Sequence, residues 1–267
     1  MKIQRKKFIL ICSTALCVIL TIIGIACFGA KKQVNIWYVE QGLENTWARI
    51  LREANPPEKF AQIQIWDGAS IPSKPGILIA TKPWQTEEKT AVFPRLSLEL
   101  EHKGAIALAL DPWMVFRKHM NPPLTYARLS QADASGLLLT PSEGGYDLQA
   151  ALFRLMGSES VWLYAPLSVI RHYRDPHKSL LEATPLPESG SQHSLQTKIL
   201  WALPTGTAKN RERLKHTIEW LKDPKTQTII ADNLEWIPAD PYGEPFDPVS
   251  LSSHRAWLTA DRVYTTD

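Results

Sequence analysis

The chain has 267 residues, 44% apolar and 21% charged, with a formal net charge of +3. These values exclude a disordered chain and leave room for one large domain or two small lobes. The positive charge is local: six of the 30 Lys and Arg lie in residues 1–32, which hold no acid, so the remainder carries 24 bases against 27 acids and is a poor nucleic-acid binder.

Phe8 to Ala30 is one uncharged apolar run of 23 residues. As a helix it spans about 34 Å, enough to cross a bilayer. Lys2, Arg5, Lys6 and Lys7 precede it, so the start is expected in the cytoplasm and everything after Ala30 outside. The run exceeds the about 7–15 apolar residues of a signal peptide, which favours an uncleaved anchor. Gly24-Ile25-Ala26-Cys27 keeps a cleaved signal and lipidation at Cys27 open as alternatives. All three cysteines (Cys12, Cys17, Cys27) sit in this run. The domain beyond it therefore has neither a disulfide framework nor a thiol nucleophile.

Val34 to Val39 reads as a buried strand. Leu43, Trp47, Ile50, Leu51 and Ala54 then mark one helix face, stopped by Pro56-Pro57. Ile63 to Trp66 is a second strand, completing a strand–helix–strand unit, and Gly76 to Ala80 is a third. Asp67 to Pro75, between the second and third, is too short and too rich in Gly and Pro for a crossover helix. That connection is either abbreviated or not parallel. Gly104 to Leu110 predicts another strand, followed by Asp111-Pro112-Trp113, and Gly136 to Thr140 a short one. Asp147 is the expected cap of a helix with Leu148, Ala151, Leu152 and Leu155 on one face and Gly157 at its end. Val161 to Ala165 is a strand, Thr184 to His193 a surface loop, and Ile199 to Leu203 a return strand. Leu214, Ile218 and Leu221 share the face of a helix after Thr205-Gly206. Asp223 and Pro224 start the last one as N-cap and first residue, with Ile230, Ala231 and Leu234 along it. Asn233 is the expected left-handed residue at its end, before Ile237-Pro238.

No motif names a covalent chemistry. The histidines are scattered, and His172 and His177 lack metal-ligand spacing. Gly157-Ser158-Glu159-Ser160 is no nucleophile elbow, and no carboxylate spacing supports a glycosidase. No metal, cofactor or catalytic residue is expected.

The order of several segments resembles the family 1 extracellular solute-binding proteins of ABC importers. These segments are the opening strand Val34–Tyr38, Ala107 to Phe116, Pro122-Pro123-Leu124-Thr125-Tyr126-Ala127-Arg128-Leu129, Val161 to Ser168, and Pro185-Leu186-Pro187 before the return strand. The C-terminal series Leu203 to Asn210, Asp223 to Gln227 and Trp236-Ile237-Pro238-Ala239 closes the set. The resemblance implies a reduced, two-lobed α/β fold of the type 2 periplasmic-binding kind. Lobe one would comprise residues 33–109 and 203–267, and lobe two residues 110–202, behind the N-terminal segment 1–32. It implies a tethered receptor on the extracytoplasmic face of the membrane, without cofactor or enzymatic activity. Such a receptor captures a small polar solute such as a sugar for ABC permease subunits.

Ten tryptophans are available to stack on sugar rings. Ligands of open α/β sheets sit beyond the carboxyl ends of strands. That rule selects Glu40, Gln41, Trp84, Asp111, Trp113, Trp162 and Tyr164 as candidate ligand-binding residues. The carboxylate of Glu40 disfavours an anion at the helix that follows it. Trp37, Trp47, Trp66, Trp201 and Trp220 are expected in the core. Two other readings compete: a shortened fold that has lost its cleft and serves as an envelope interaction or scaffold protein, and an exported hydrolase.

Overall fold

The structure, a computed structural model, describes residues 35–58, 60, 62–82, 92–94, 104–140, 146–157, 161–172, 181–190, 194–245 and 247–265. The expected anchor, Cys27 and Trp84 lie outside these residues. Among the described residues no helix is long and apolar enough to cross a membrane. The body that follows is Asn35–Asp267.

β1 (Ile36–Glu40), α1 (Glu44–Ala54) and β2 (Gln62–Trp66) form the expected strand–helix–strand unit. Trp47 and Ile50 are the buried face of α1, which ends at Asn55 in the left-handed region (φ 46°). β3 (Gly76–Ala80) pairs parallel to β1 on the side away from β2. Residues 67–75 therefore carry the chain across β1 with no helix. The Asp67 carboxylate accepts the Ala69 N–H at 2.9 Å and the Trp66 indole donates to the Ser70 carbonyl at 2.8 Å, which tightens the link. At its end Ile36 donates to Pro75 O. Gly76 follows, where a Cβ would lie 2.1 Å from the Ile36 carbonyl oxygen.

Two long strands dominate the rest. β5 (Ile106–Lys118) and β9 (Ser194–Thr205) pair antiparallel, and β3 pairs antiparallel with β9 on its other edge. The sequence ends the first of these strands at Leu110 and begins the second at Ile199; the structure runs both on. β5 continues through Pro112 and enters a second sheet, where Trp113–Phe116 pairs with β7 (Trp162–Pro166) and Val115–Lys118 with β8 (Leu181–Thr184). β6 (Leu138–Leu139) adds parallel to β7. Proline is tolerated in the middle of β5 because residues 111–112 fall between two partners on one edge. β10 (Ile237–Pro238) begins opposite Leu110, and β7 ends opposite Trp113.

Between these strands lie α2 (Tyr126–Ala134), α3 (Tyr146–Met156) and α4 (Leu167–His172). α3 starts one residue before Asp147, so Asp147 lies in its first turn rather than at the cap. α5 (Ala208–Arg213), α6 (Lys215–Lys222) and α7 (Pro224–Leu234) follow β9. Asp223 caps α7 as the sequence predicts, accepting the Thr226 N–H at 3.0 Å. The left-handed residue at the other end is Glu235 (φ 63°), not Asn233. Asn233 is still helical, and its amide donates back to Ile229 O and across to Glu53. α8 (Pro248–Thr259) and β11 (Arg262–Thr265) complete the chain; the sequence reading has no element there. β11 lies parallel to residues 194–197 of β9, and β4 (Val92–Pro94) pairs with it.

Apolar packing follows these layers. Trp37, Trp47, Ile50, Leu214, Leu221 and Ile230 pack on one face of the first sheet. A larger core runs without interruption from Tyr38 and Leu78 in the first sheet, through Leu110 and Met114 of β5, to Leu155 and Leu163 in the second. Trp257 of α8 and Val263 of β11 belong to the same core. Trp66 and Trp201 are buried in it, and Trp220 packs against the first-sheet cluster, as expected.

Polar latches hold the region where the sheets meet. Asp111 is 4% exposed, and its carboxylate accepts the Ser168 N–H at 2.9 Å and the Ser168 hydroxyl at 2.7 Å. It thereby fixes the start of α4 to the middle of β5. Burial pushes the Asp111 carboxyl up to about 6, against the opposing pull of the Ser168 hydrogen bonds and the Lys198 charge. At its far end α4 carries Arg171. That guanidinium donates to Trp236 O at 2.6 Å and pairs with Asp232 at 3.0 Å and Asp247 at 3.2 Å, so it joins α4 to α7 and to the cap of α8. The Gln227 amide ties α7 to β5 and to the chain beyond β10 through Ala107 O, Leu221 O and the Asp240 N–H.

Two predictions follow from these contacts. Gly76→Ala drives a methyl into a backbone oxygen that cannot move without unpairing β1 from β3. Urea titration should show a loss at or above the about 1–3 kcal/mol of core overpacking, and an unchanged midpoint would mean that the two strands are not in this register. Asp111 favours the fold in its protonated form. Its contribution is complete below the unfolded value of about 4 and is lost as pH rises through about 6. From pH 4 to 7 the stability of the wild type relative to Asp111→Asn should fall by on the order of 3 kcal/mol. A flat difference across that range would place the carboxyl in solvent.

Candidate functional site

β1, β2 and β3 all end at the same edge of the first sheet, while β9 and β5 run on past it. β11 joins β9 on the same edge as β3, and the two approach head-on. β3 stops opposite Trp201 and β11 stops opposite Thr197. Among the described residues, Lys198 to Leu200 therefore have no strand partner on that edge. This notch in the pairing, whose residues Ile199 and Leu200 are buried, falls where parallel strands end and the chain passes between sheets, the position in open α/β folds where ligands bind.

Strand alternation sorts the side chains here. Leu110, Met114, Phe116, Leu195 and Ile199 enter the continuous core. The opposite face of β5 presents Asp111, Trp113 and Val115, and that of β9 presents Ser194, Gln196 and Lys198. Asp111 is directly opposite Lys198 in the ladder, and Pro112 opposite Thr197, which brings Trp113 beside Gln196.

Trp113 is half-buried and packs on Tyr164 of β7, with ring centroids 5.3 Å apart at 50°. Its indole N–H is buried and has no acceptor among the described residues. The Tyr164 hydroxyl donates to Gln196 Oε1 at 2.9 Å, which joins the second sheet to β9. Burial, reinforced by the Glu188 carboxylate, pushes the Tyr164 phenol up to about 12, so at neutral pH it is a fixed neutral donor. Glu188 in turn accepts the Ser194 hydroxyl at 3.1 Å.

The remaining candidates lie apart from this cluster. Glu40 ends β1 half-buried, and its carboxylate accepts the Thr81 N–H at 2.6 Å and the Thr81 hydroxyl at 2.9 Å. Gln41 is exposed on the turn that follows. Trp162 is 7% exposed, packs with Val115, Leu124 and Ala132, and donates its indole N–H to Pro122 O at 3.1 Å. The structure thus brings Asp111, Trp113 and Tyr164 together, puts Trp162 in a neighbouring core, and sets Glu40 and Gln41 at the end of β1. Sequence reasoning missed Ser194, Gln196 and Lys198. The signal was present: Ser194, Gln196 and Lys198 alternate with Leu195 and Ile199 on one strand. Among the described residues, no group of three His, Cys, Asp or Glu is placed to hold a metal ion.

No protein-family model matches the chain, and no curated protein matches it in sequence. Solved structures do match in fold. The bacterial solute receptor AcbH, described as having an exclusive preference for β-D-galactopyranose, aligns with a TM-score of 0.62 at 9% identity over 87% of each chain. The ferric iron-binding protein A of Mannheimia haemolytica, in an open conformation, aligns with a TM-score of 0.51 at 11% identity, over 88% of this chain and 92% of that one. The cyclic α-maltosyl-1,6-maltose binding protein of Arthrobacter globiformis aligns with a TM-score of 0.50 at 9% identity, over 85% and 87%. The order of elements, the β5–β9 crossing and the extent of these alignments lead to one conclusion: the chain has the mixed α/β, type 2 periplasmic-binding fold of solute receptors.

Proposed function

We propose that the protein is an extracytoplasmic solute receptor that holds a small polar solute, a carbohydrate, at the notch beside Trp113. The observation that carries this reading is the Trp113–Tyr164 pair. It sits where β5 passes between the sheets, beyond the ends of β1 and β3, with an indole donor that has no protein acceptor. Aromatic faces suit the apolar faces of sugar rings, and a buried unpaired donor suits a ligand oxygen. In this proposal residues 33–109 and 203–267 form lobe one and residues 110–202 lobe two, with β5 and β9 as the hinge. Glu40 and Gln41 line the rim, whereas Asp111 and Trp162 position the backbone around the solute. Segment 1–32 tethers the receptor to the membrane, where it delivers its solute to an ABC permease. The sugar and ferric-iron receptors that share the fold support a binding role with no covalent step; the single phenol and the carboxylates engaged elsewhere favour a sugar over iron.

A second reading is favoured by the continuous core and by the Arg171 bridge. Both resist rotation of one sheet against the other. A rigid body of this kind serves as an interaction or scaffold module in the envelope.

Calorimetry of the purified protein against sugars, sugar acids and polyols tests the first reading. Trp113→Ala should weaken binding by about 1–3 kcal/mol and cost less stability than the about 3–5 kcal/mol of emptying a core Trp site. Loss of stability with binding intact would make Trp113 a core residue. Small-angle scattering separates the two readings: a receptor should contract when saturated with solute, and a scaffold should give the same curve with and without it.

A further inference from the structure

The hydrogen-bonding inventory around the notch is one-sided. Each of its side-chain acceptors already takes a bond within the protein. Asp111 receives two bonds from Ser168, Glu188 accepts from Ser194, and the Gln196 carbonyl accepts from Tyr164. Its donors are not engaged. The Trp113 indole N–H is buried without an acceptor. The Gln196 carbonyl faces Tyr164, which leaves its NH2 group turned elsewhere. Lys198 is half-buried and makes no ion pair among the described residues; its charge acts on Asp111 across the ladder. All three donors project from one face of the β5–β9 ribbon, on neighbouring ladder positions and next to an aromatic surface.

A ligand that completes this site must bring acceptors for these donors. A neutral sugar brings both from every hydroxyl. A carboxylate brings two strong acceptors and no donor, and it forms a charge-assisted bond with an ammonium. Resting on the receptor reading above, we infer that the solute is a sugar acid: its ring lies against Trp113 and Tyr164, and its carboxylate is received by Lys198 and the Gln196 amide. The Asp111 carboxylate directly opposite Lys198 works against an anionic solute, and the Lys198 charge offsets it. Lys198 then serves as the specificity-determining residue of the site.

The test is calorimetry of the full chain in detergent with D-glucuronate and D-galacturonate against D-glucose and D-galactose. At least one acid should bind about tenfold or more tighter than its neutral counterpart. Lys198→Met should remove that preference, whereas Lys198→Arg should retain it. Thermal unfolding of both variants checks that they are folded. Equal binding of acids and neutral sugars by the wild type overturns the sugar-acid assignment and leaves the receptor reading standing. So does a preference that survives in Lys198→Met. Binding of none of the four by a folded sample counts against both.

Discussion

One constraint shapes this molecule: β5 has to serve two sheets. Its first half is a rung of the β1–β3 sheet and its second half a rung of the β7–β8 sheet. The changeover falls at Asp111-Pro112, where a carboxylate and a proline replace the apolar residues on either side. A proline costs a ladder hydrogen bond in a continuous sheet. Here it occupies the one place where β5 changes partners. Everything of functional interest is referred to that point: the aromatic pair is one residue further on, the latch to α4 one residue back, and Lys198 directly across.

The polar contacts near the changeover act as fasteners, each between elements that the apolar core alone would let slide. Burial makes each costly in isolation, so each is fully partnered. Asp111 meets a backbone N–H and a hydroxyl, Arg171 meets two carboxylates and a carbonyl, and the Gln227 amide meets three backbone groups. The raised Asp111 carboxyl and the raised Asp232 carboxyl, shifted first by burial and opposed by Arg171, carry the trace of that cost. Not every buried donor is paired: among the described residues the indole N–H groups of Trp47, Trp113 and Trp257 have no acceptor.

The C-terminal segment changes how the two sheets relate. α8 packs on β8 and β10, and β11 runs beside β9. Together they extend one core across both sheets and close part of the edge that β3 leaves open. A fold built for hinge motion keeps its lobes apart except at the crossing strands. This one adds Trp257, Val263 and the Arg171 bridge to the crossing.

By itself the sequence determined the local pieces. Period-two and period-3.6 patterns located β1–β3, α1, α6 and α7, and the Asp223-Pro224 pair fixed the start of α7 because capping is a contact within four residues. The core tryptophans were legible for the same reason: Trp37 and Trp47 lie on apolar faces that a local pattern reveals. Long-range matters were not legible. The run of β5 past Pro112 depends on which strands happen to flank it, and the helix-free crossing of β1 depends on Gly76 lying against Ile36. The left-handed residue fell at Glu235 rather than Asn233 because the Trp236 N–H reaches back to Ala231 O and sets where the turn closes. Site membership was decided last. Asp111, Trp113 and Tyr164 were selected from their positions at strand ends, but whether a side chain faces a notch or a core depends on ladder register, which no local pattern carries. Only the pairing of β5 with β9 and β7 put Gln196 and Lys198 beside Trp113 and withdrew Trp162 into packing.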